Sequence, residues 1–314
     1  MSIAFVFPGQ GAQAIGMGYA LARAYPDARA VFEEVDAALG VALSKLIWEG
    51  DLEELTLTQN AQPALMATSL AALRALEAEG LGLDRAGYVA GHSLGEYSAL
   101  AAAGSLSVTD AARLLRTRGQ AMQAAVPVGE GAMAAILGLD IDTVSALAAE
   151  AAGDQVCAVA NENDPAQNVV SGHKDAVERA CALAKEKGAK RALMLPVSAP
   201  FHCPLMAPAA EVMAEALAEV DLKVPQVPLV ANVTAEAVST PPEIKALLIQ
   251  QVTGQVRWKT SVGWMVAHGI SDFWEIGAGK ALSGMIRRIA KEAGTRAIGT
   301  PDDIAALKEQ EGQA

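Results

Sequence analysis

Residues 90–104 read "AGHSLGEYSALAAAG" and place one serine between two glycines, where an apolar run meets a series of small, helix-favouring residues. Gly91 lies two residues before Ser93, and Gly95 lies two residues after it. This spacing lets a strand turn sharply into a helix and raises the hydroxyl to where a substrate can reach it. The stretch predicts a nucleophile elbow in an α/β fold. The alternative is an ordinary turn, because Gly-x-Ser-x-Gly is short enough to occur by chance.

Length and composition describe a compact globular chain. Of its 314 residues, 52% are hydrophobic and 19% are charged. This balance excludes wholesale disorder, and the length suits one large α/β domain with a smaller insert better than three small domains. The formal net charge of −12 argues against a nucleic-acid binder, because phosphate contacts need a basic face.

We expect a cytoplasmic protein that does not enter membranes. No apolar run approaches the roughly 20 residues that a membrane helix needs, and the first residues, "MSIAFVFPGQG", lack the basic region of a secretory signal. Cys157, Cys181 and Cys203 are odd in number and far apart, which indicates reduced thiols. No Cys/His spacing predicts zinc, so we expect neither a metal nor a cofactor.

Short apolar runs alternate with amphipathic stretches, which is the pattern of a mainly parallel sheet joined by helices. The predicted strands are 3–7, 88–91, 229–233 and 272–276. The predicted helices are 63–79, 94–103, 109–125, 206–220, 243–251, 258–268 and 281–293. These elements predict a large α/β domain.

Between residues 128 and 195 the pattern changes to β-α-β-β-α-β. The predicted strands there are 131–139, 156–162, 167–172 and 190–195, and the predicted helices are 143–151 and 175–187. A ferredoxin-like unit is the simplest closed arrangement of this order. We therefore expect a ferredoxin-like subdomain at residues 128–195, inserted into a large domain made of residues 1–127 and 196–314.

A serine hydroxyl is a poor nucleophile until a base takes its proton, and the chain has four histidines. His202 follows a Pro-interrupted loop, "PVSAPFH", at the kind of edge where active-site residues of α/β sheets gather, so it is the predicted base. We assign His92 to packing or hydrogen bonding beside the site, and we expect His173 and His268 at the surface or at helix ends. No acidic residue stands out as a third member, so a backbone carbonyl is a possible orienting group.

The stretch "FPGQG" at residues 7–11 has two interpretations. Glycines bring backbone close to a ligand, and Gln10 together with the Leu94 amide suits an oxyanion hole. An ordinary turn at the end of a strand explains the residues equally well.

One predicted helix carries three arginines, Arg113, Arg116 and Arg118. A cation turned inward on this helix could hold a substrate carboxylate through two parallel hydrogen bonds. Composition does not choose among the three, and most arginines on helices are merely solvated.

Six stretches resemble the malonyl-CoA:acyl-carrier-protein transacylase family in order and separation. They are "FPGQG", "GHSLGEYSAL", "RTRGQAMQ", "AVANEND", "PVSAPFH" and "FWEIGAGKAL". The resemblance covers the chain from residue 3 to about residue 300. It implies an α/β-hydrolase-like large domain with a ferredoxin-like small one, and transfer of a malonyl group from malonyl-CoA to the phosphopantetheine thiol of acyl carrier protein.

The resemblance also implies roles for individual residues. Ser93 is the acylated nucleophile, His202 is its base, Arg118 binds the malonyl carboxylate, and Gln10 with the Leu94 amide forms the oxyanion hole. Among the remaining positions, the backbone carbonyl of Gln251 orients the histidine and its side chain lies at the site. Two more positions, Asn161 and Asn163, line the cleft from the small subdomain. Phe201 resembles the phenylalanine of a Phe-His pair that accompanies malonyl preference in related polyketide acyltransferases, and its bulky ring could exclude an extra methyl group.

Three alternatives stay open. One is a serine esterase or thioesterase of the α/β-hydrolase type, and another is a stand-alone polyketide acyltransferase with different acyl selectivity. The third is a binding module that docks carrier proteins without catalysis. We expect a monomer that binds malonyl-CoA and acyl carrier protein. The basic clusters at 185–191 and 287–291 are solvated helix faces, or docking surfaces if they face the channel mouth.

Overall fold

The structure is a computed structural model that describes residues 2–197 and 199–312. Its main sheet has six strands. In sheet order they are β10 (Gly294–Ile298), β9 (Ile270–Ile276), β1 (Ser2–Phe7), β2 (Ala86–Gly91), β7 (Leu229–Val230) and β8 (Ala237–Val238). Every pair is parallel except the β7–β8 pair, which is antiparallel. Inner strand β1 is apolar over residues 3–7 because helices cover both faces of this sheet, whereas inner strand β9 also carries buried Asp272 and Glu275.

The second sheet is formed within residues 131–194 and is antiparallel throughout. Its strands, in sheet order, are β4 (Cys157–Asp164), β5 (Gln167–His173), β3 (Gly131–Leu137) and β6 (Arg191–Met194). Alternate residues of β3 separate the two faces: Ile136 packs against helices, whereas Met133 faces the loop that carries Val197 and Phe201.

Within the described residues, fourteen α-helices surround the sheets. In the large unit they are α1 (Tyr19–Ala24), α2 (Pro26–Leu39), α3 (Leu43–Glu49), α4 (Leu52–Thr56), α5 (Thr58–Ala78), α6 (Gly95–Ala102), α7 (Val108–Ala124), α10 (Ala207–Ala218), α11 (Pro241–Thr253), α12 (Trp258–Ala267), α13 (Ala281–Ile289) and α14 (Pro301–Glu311). The small unit contributes α8 (Ile141–Ala152) and α9 (Lys174–Glu186). Helix α5 is buried along most of its length, and α7 packs beside it.

The predicted α/β class, with a mainly parallel sheet and a second antiparallel sheet, is confirmed. The domain boundaries at 127/128 and 195/196 stay a prediction. Positions 1, 198, 313 and 314 of the predicted large domain lie outside the described residues. Several elements were not predicted from the sequence: α1–α4, α14, β8 and β10. The helix predicted to reach residue 293 ends at Ile289, because the chain turns at Ala290 and then enters β10.

Strand β4 ties the second sheet to the main unit. The Val256 amide donates to the Ala160 carbonyl at 2.8 Å, and the Glu162 amide donates to the Val256 carbonyl at 2.9 Å. Arg288 also forms an ion pair with buried Asp164 at 2.7 Å. The second sheet is therefore attached to the main unit through backbone hydrogen bonds as well as through a side-chain ion pair.

Candidate active site

The elbow is the sharp connection between β2 and α6. Ser93 adopts a φ of 54°, in the left-handed region that non-glycine residues rarely occupy. A Cβ on Gly91 would lie 1.9 Å from the backbone of Gly95, and a Cβ on Gly95 would lie 2.3 Å from the Phe7 carbonyl oxygen. Only glycine fits at either position, so the pattern that predicted the elbow is sterically required by it.

Ser93 and His202 meet although 109 residues separate them in the chain. The distance between Ser93 Oγ and His202 Nε2 is 2.7 Å, and His202 Nδ1 lies 2.8 Å from the Gln251 carbonyl oxygen. Because that carbonyl can only accept, Nδ1 carries the proton and Nε2 is left to accept from the serine. The pair therefore has the geometry of a nucleophile and its base, oriented by a backbone carbonyl.

Burial keeps the imidazole neutral. Desolvation, the largest cause, and the positive charge of Arg118 together lower the pKa of His202 to about 3, against the opposing hydrogen bond to the Gln251 carbonyl. A neutral imidazole is the form that takes a proton from the serine.

Of the three arginines on α7, only Arg118 is turned inward, with 1% of its surface exposed. Its Nη2 donates to Gln251 Oε1 at 2.7 Å and to Ser93 Oγ at 3.1 Å, and its Nη1 donates to Gln62 Oε1 at 2.7 Å. Among the described residues it forms no ion pair. A buried cation held by neutral amides beside the nucleophile is suited to a substrate carboxylate.

The other two arginines of this helix have partners elsewhere. Arg113 is exposed and donates to the Ala38 carbonyl, whereas Arg116 donates to Asn60 Oδ1. Burial therefore singles out Arg118 among the three arginines, which composition could not do.

A chain of hydrogen bonds joins Arg118 to Gln10. Gln62 accepts from Arg118 and donates through Nε2 to Thr58 Oγ1 at 2.9 Å, and Thr58 Oγ1 donates to Gln10 Oε1 at 2.9 Å. Since the oxygen of the Gln10 amide is engaged by Thr58, its nitrogen is the end available to a ligand oxygen. Thr58 and Gln62 lie one helical turn apart on α5 and were not predicted; their spacing on a buried helix was the available signal.

These groups line a cavity of about 320 Å³ that opens to solvent between the two sheets. Ser93, His202 and Arg118 share it with Gln10 and Leu94. Its apolar wall includes Met133, Leu195 and Phe201. Such a cavity can hold the acyl end of a flexible substrate, with polar groups concentrated at the nucleophile.

Four predicted residues take different positions relative to this cleft. Asn161 and His92 line the cavity. The Asn163 side chain is instead turned toward His92, with Oδ1 2.9 Å from Nε2, so it supports the cleft from behind. Gln251 is fully buried and contacts the cavity-lining residues Arg118, His202 and Ser93 from behind. The expectation that Asn163 lines the cleft itself is corrected accordingly, whereas the Gln251 carbonyl lies against His202 and its side chain against Arg118, in the positions that the resemblance implies.

The remaining histidines lie away from the nucleophile. His173 Nδ1 accepts from the Val156 amide at 2.9 Å at the start of α9. His268 is exposed, and its ring stacks on Trp264 at the end of α12. Within the described ranges, no group of three or more His, Cys, Asp or Glu side chains could hold a metal ion, and no helix is long and apolar enough to cross a membrane.

Two more buried residues near the elbow, Asn232 and Glu96, were missed at the level of sequence. Asn232 Oδ1 accepts from the Ser93 amide at 2.8 Å, while Asn232 Nδ2 donates to the Gly91 carbonyl at 2.7 Å. Glu96, directly after the elbow, is a single acid within a helix of small residues, and that isolation was a signal of a special role. Nothing in the sequence around Asn232 distinguishes it.

Known proteins match this chain along nearly its whole length. Residues 4–293 match the family described as "Acyl transferase domain". The chain is 48% identical over 303 residues to the malonyl CoA-acyl carrier protein transacylase of Bacillus subtilis, covering 96% of this chain and 95% of the relative.

Solved structures agree. The acyl-carrier-protein S-malonyltransferase of Bartonella henselae superposes with a TM-score of 0.97 at 53% identity, covering 99% of this chain and 100% of the other. A malonyl-transacylase in complex with its type II polyketide acyl-carrier protein superposes with a TM-score of 0.96 at 40% identity, covering 99% of this chain and 100% of the other.

Proposed function

The chain belongs to the acyl transferase family, and from that premise we propose that it transfers a malonyl group from malonyl-CoA to the phosphopantetheine thiol of an acyl carrier protein. One observation carries the proposal. Ser93 Oγ lies 2.7 Å from His202 Nε2 and 3.1 Å from Arg118 Nη2, so a single hydroxyl adjoins both a base and a carboxylate-binding cation. An acid-bearing acyl group bound there has its thioester carbonyl within reach of the nucleophile.

In the first half-reaction His202 takes the proton of Ser93 as the hydroxyl attacks the thioester carbonyl. The tetrahedral oxyanion is held by the Gln10 amide and the backbone N–H of Leu94. When the intermediate collapses, the C–S bond breaks, and the imidazolium returns its proton to the departing coenzyme A thiolate. The product is a malonyl ester on Ser93.

In the second half-reaction the carrier thiol gives its proton to His202 and attacks the ester. The C–O bond to Ser93 breaks, and His202 returns the proton to the serine. Because coenzyme A leaves before the carrier thiol enters the same cavity, the kinetics are ping-pong.

Arg118 gives the site its preference for an acyl group that carries an acid. A guanidinium presents parallel N–H donors that match a carboxylate. Its buried position strengthens that interaction, since only 1% of the Arg118 surface is exposed to solvent. The pinned acyl group then holds its ester carbonyl toward the channel and away from bulk water.

Two alternatives differ from this proposal, one in the reaction and one in the carrier protein. A serine hydrolase shares the elbow, but the orienting group of His202 is a backbone carbonyl in place of the Asp or Glu that a hydrolase triad carries. A polyketide carrier is an equally suitable acceptor, since one structural neighbour is described with such a carrier. Phe201, on the cavity wall, favours malonyl over methylmalonyl by the modest factor that one methyl group allows.

The test follows the mass of the intact protein. Incubation with malonyl-CoA should add one malonyl group to the wild type and none to Ser93→Ala. Adding a phosphopantetheinylated carrier protein should then return the enzyme to its original mass as the carrier gains the group. Loss of the label to water at the same rate without the carrier would instead establish a hydrolase.

We further propose that the protein acts as a monomer in the cytoplasm, without a cofactor. The three cysteines are all free and buried, which suits a reducing compartment. Light scattering at micromolar concentration tests the monomer, and fractionation of the source cells tests the compartment.

A further inference from the structure

Glu96 is a buried acid that none of the steps above uses. It lies on α6 directly after the elbow glycine, and 1% of its surface is exposed. Its Oε1 accepts from the Asn232 backbone amide at 3.1 Å, and its Oε2 accepts from Gln251 Nε2. Both partners are donors, so the surroundings of this carboxyl are built for the ionised form, which can only accept.

The contact with Gln251 decides which way that amide points. Gln251 Oε1 accepts from Arg118 at 2.7 Å, while Nε2 donates to the Ser93 carbonyl at 3.0 Å as well as to Glu96. An amide has one accepting end and one donating end. An ionised Glu96 therefore fixes the nitrogen toward itself and, as a consequence, the oxygen toward Arg118.

The charges around Glu96 are few. Arg118 attracts it through the intervening Gln251 amide, the Tyr97 ring follows it on α6, and the neutral His202 lies beyond Gln251. Desolvation raises the pKa of Glu96 to about 7, against the opposing effects of its hydrogen bonds and of Arg118. Its protonation thus changes within the range in which the enzyme can be assayed.

We propose that Glu96 is a positioning residue that, as a carboxylate, orients Gln251 and through it Arg118, and so controls recognition of the acyl carboxylate. This inference rests on the proposed function for its substrate. Protonation turns one Glu96 oxygen into a donor that faces other donors, and Gln251 then loses the orientation that serves Arg118. Recognition of carboxylates is present above pH 7 and declines as the pH falls through about 7.

The test compares Glu96→Gln with the matched control Ser98→Ala, which removes a buried polar atom from the same helix. Three rates are measured from pH 5.5 to 9: acylation of Ser93 by malonyl-CoA, acylation by acetyl-CoA, and labelling by an uncharged sulfonyl fluoride. Protection of Ser93 from the sulfonyl fluoride by free malonate reports carboxylate recognition without any transfer. Circular dichroism and thermal unfolding establish that each variant is folded.

We expect Glu96→Gln to slow malonyl acylation and weaken malonate protection about ten- to a hundredfold. Its labelling by the neutral probe should stay within about twofold of the wild type, as should all rates of Ser98→Ala. In the wild type, the ratio of malonyl to acetyl rates should fall with the pH through about 7, and in Glu96→Gln that ratio should not depend on pH. The wild-type profile tests the proposal even if the variant does not fold.

Equal losses with malonyl, acetyl and the neutral probe would overturn the proposal, because Glu96 would then only support the elbow. A wild-type ratio that is flat across pH 7 would also overturn it. If malonyl-CoA fails to acylate the wild type while malonate still protects Ser93 in a Glu96-dependent way, the proposed function fails and this inference stands.

Discussion

Nδ1 of His202 donates to the backbone carbonyl oxygen of Gln251 at 2.8 Å, while the side chain of Gln251 accepts from Arg118. One residue therefore orients the base with its main chain and the carboxylate-binding cation with its side chain. Since substitution changes only the side chain, the two roles can be separated experimentally.

Replacing Gln251 with Ala should leave the His202 contact intact and remove one of the two side-chain amide acceptors of Arg118. We expect malonyl acylation to fall about ten- to a hundredfold, because a buried cation loses a charged hydrogen bond. Labelling of Ser93 by a neutral sulfonyl fluoride should change far less. Exposed Gln250→Ala is the adjacent control. If neutral labelling falls as much as malonyl acylation, the side chain also sustains the nucleophile itself.

Replacing Arg118 with Ala should depress malonyl transfer while sparing acetyl transfer. The loss of a charge-assisted pair costs about 1.5 to 3 kcal/mol, which corresponds to roughly ten- to a hundredfold in kcat/KM for malonyl-CoA. Exposed Arg113→Ala, on the same helix, should leave both rates unchanged. Equal losses for malonyl and acetyl groups would remove Arg118 from carboxylate recognition.

Replacing Thr58 with Val should break the hydrogen-bond chain from Arg118 to Gln10 without changing the side-chain volume much. The Gln10 amide is then free to rotate, so stabilisation of the oxyanion weakens and both acyl groups should be affected. We expect kcat to fall about tenfold, corresponding to one net hydrogen bond. Thr68→Val is the control, because the Thr68 hydroxyl donates to the Ala64 carbonyl of its own helix and, among the described residues, takes no part in the chain to Gln10. A full rate in Thr58→Val would exclude the chain from catalysis.

His202 should make the fold sensitive to acid. Its pKa is lowered to about 3 in the folded state, below the ordinary value near 6.5 expected when unfolded. Between these two pH values the unfolded chain therefore binds more protons than the folded one. The free energy of unfolding consequently decreases as the pH falls below about 6.5. From pH 7.5 to 5 the loss is about 2 kcal/mol.

Urea unfolding of the wild type and His202→Gln at the two pH values measures this difference. The variant should lose about 2 kcal/mol less than the wild type, whereas exposed His268→Gln should behave as the wild type does. The same loss in all three proteins would mean that His202 is not the acid-sensitive group.

A basic cluster leads from α9 to the cavity. Lys187, Lys190 and Arg191 precede and begin β6, and the chain leaving β6 lines the cavity at Leu195. Reversing these three charges should slow transfer to an acidic carrier protein and reduce its salt dependence, while acylation of Ser93 by malonyl-CoA stays unchanged. Arg288 is unsuitable for this test, because it is paired with Asp164.

The matched control reverses Arg23, Lys45 and Arg113, which are exposed and do not line the cavity. It keeps the same change in net charge at another surface. If both triple variants slow carrier transfer alike, only the overall charge matters and the cluster is not the docking surface.

The parts of the site that the sequence predicts are those with local causes. The elbow follows from glycines two residues from Ser93, and His202 follows from a Pro-interrupted loop at a sheet edge. The second sheet followed from the alternation of short strands with two helices. In each case a few neighbouring residues determine the backbone.

The parts that could not be predicted depend on distant contacts. Gln62, Asn232 and Glu96 acquire their roles from residues 56, 139 and 155 positions away. The choice of Arg118 over its neighbours on α7 depends on which face of that helix the finished fold buries. Helices α1, α3 and α4 have six, seven and five residues, too few for a helical period to show in the sequence. Helix α2, with 14 residues, begins at Pro26 and is followed by Gly40, and these local signals could have predicted it.

Ser93 and His202 both have left-handed backbones, with φ of 54° and 58°. For residues that carry a Cβ, this conformation costs about 1 to 2 kcal/mol each relative to the ordinary helical one. Glycine would relieve that cost at either position and abolish the chemistry. The backbone conformations that place the two reacting side chains therefore lower the stability of the fold. Selection for stability alone would favour glycine at these two positions and would remove the activity.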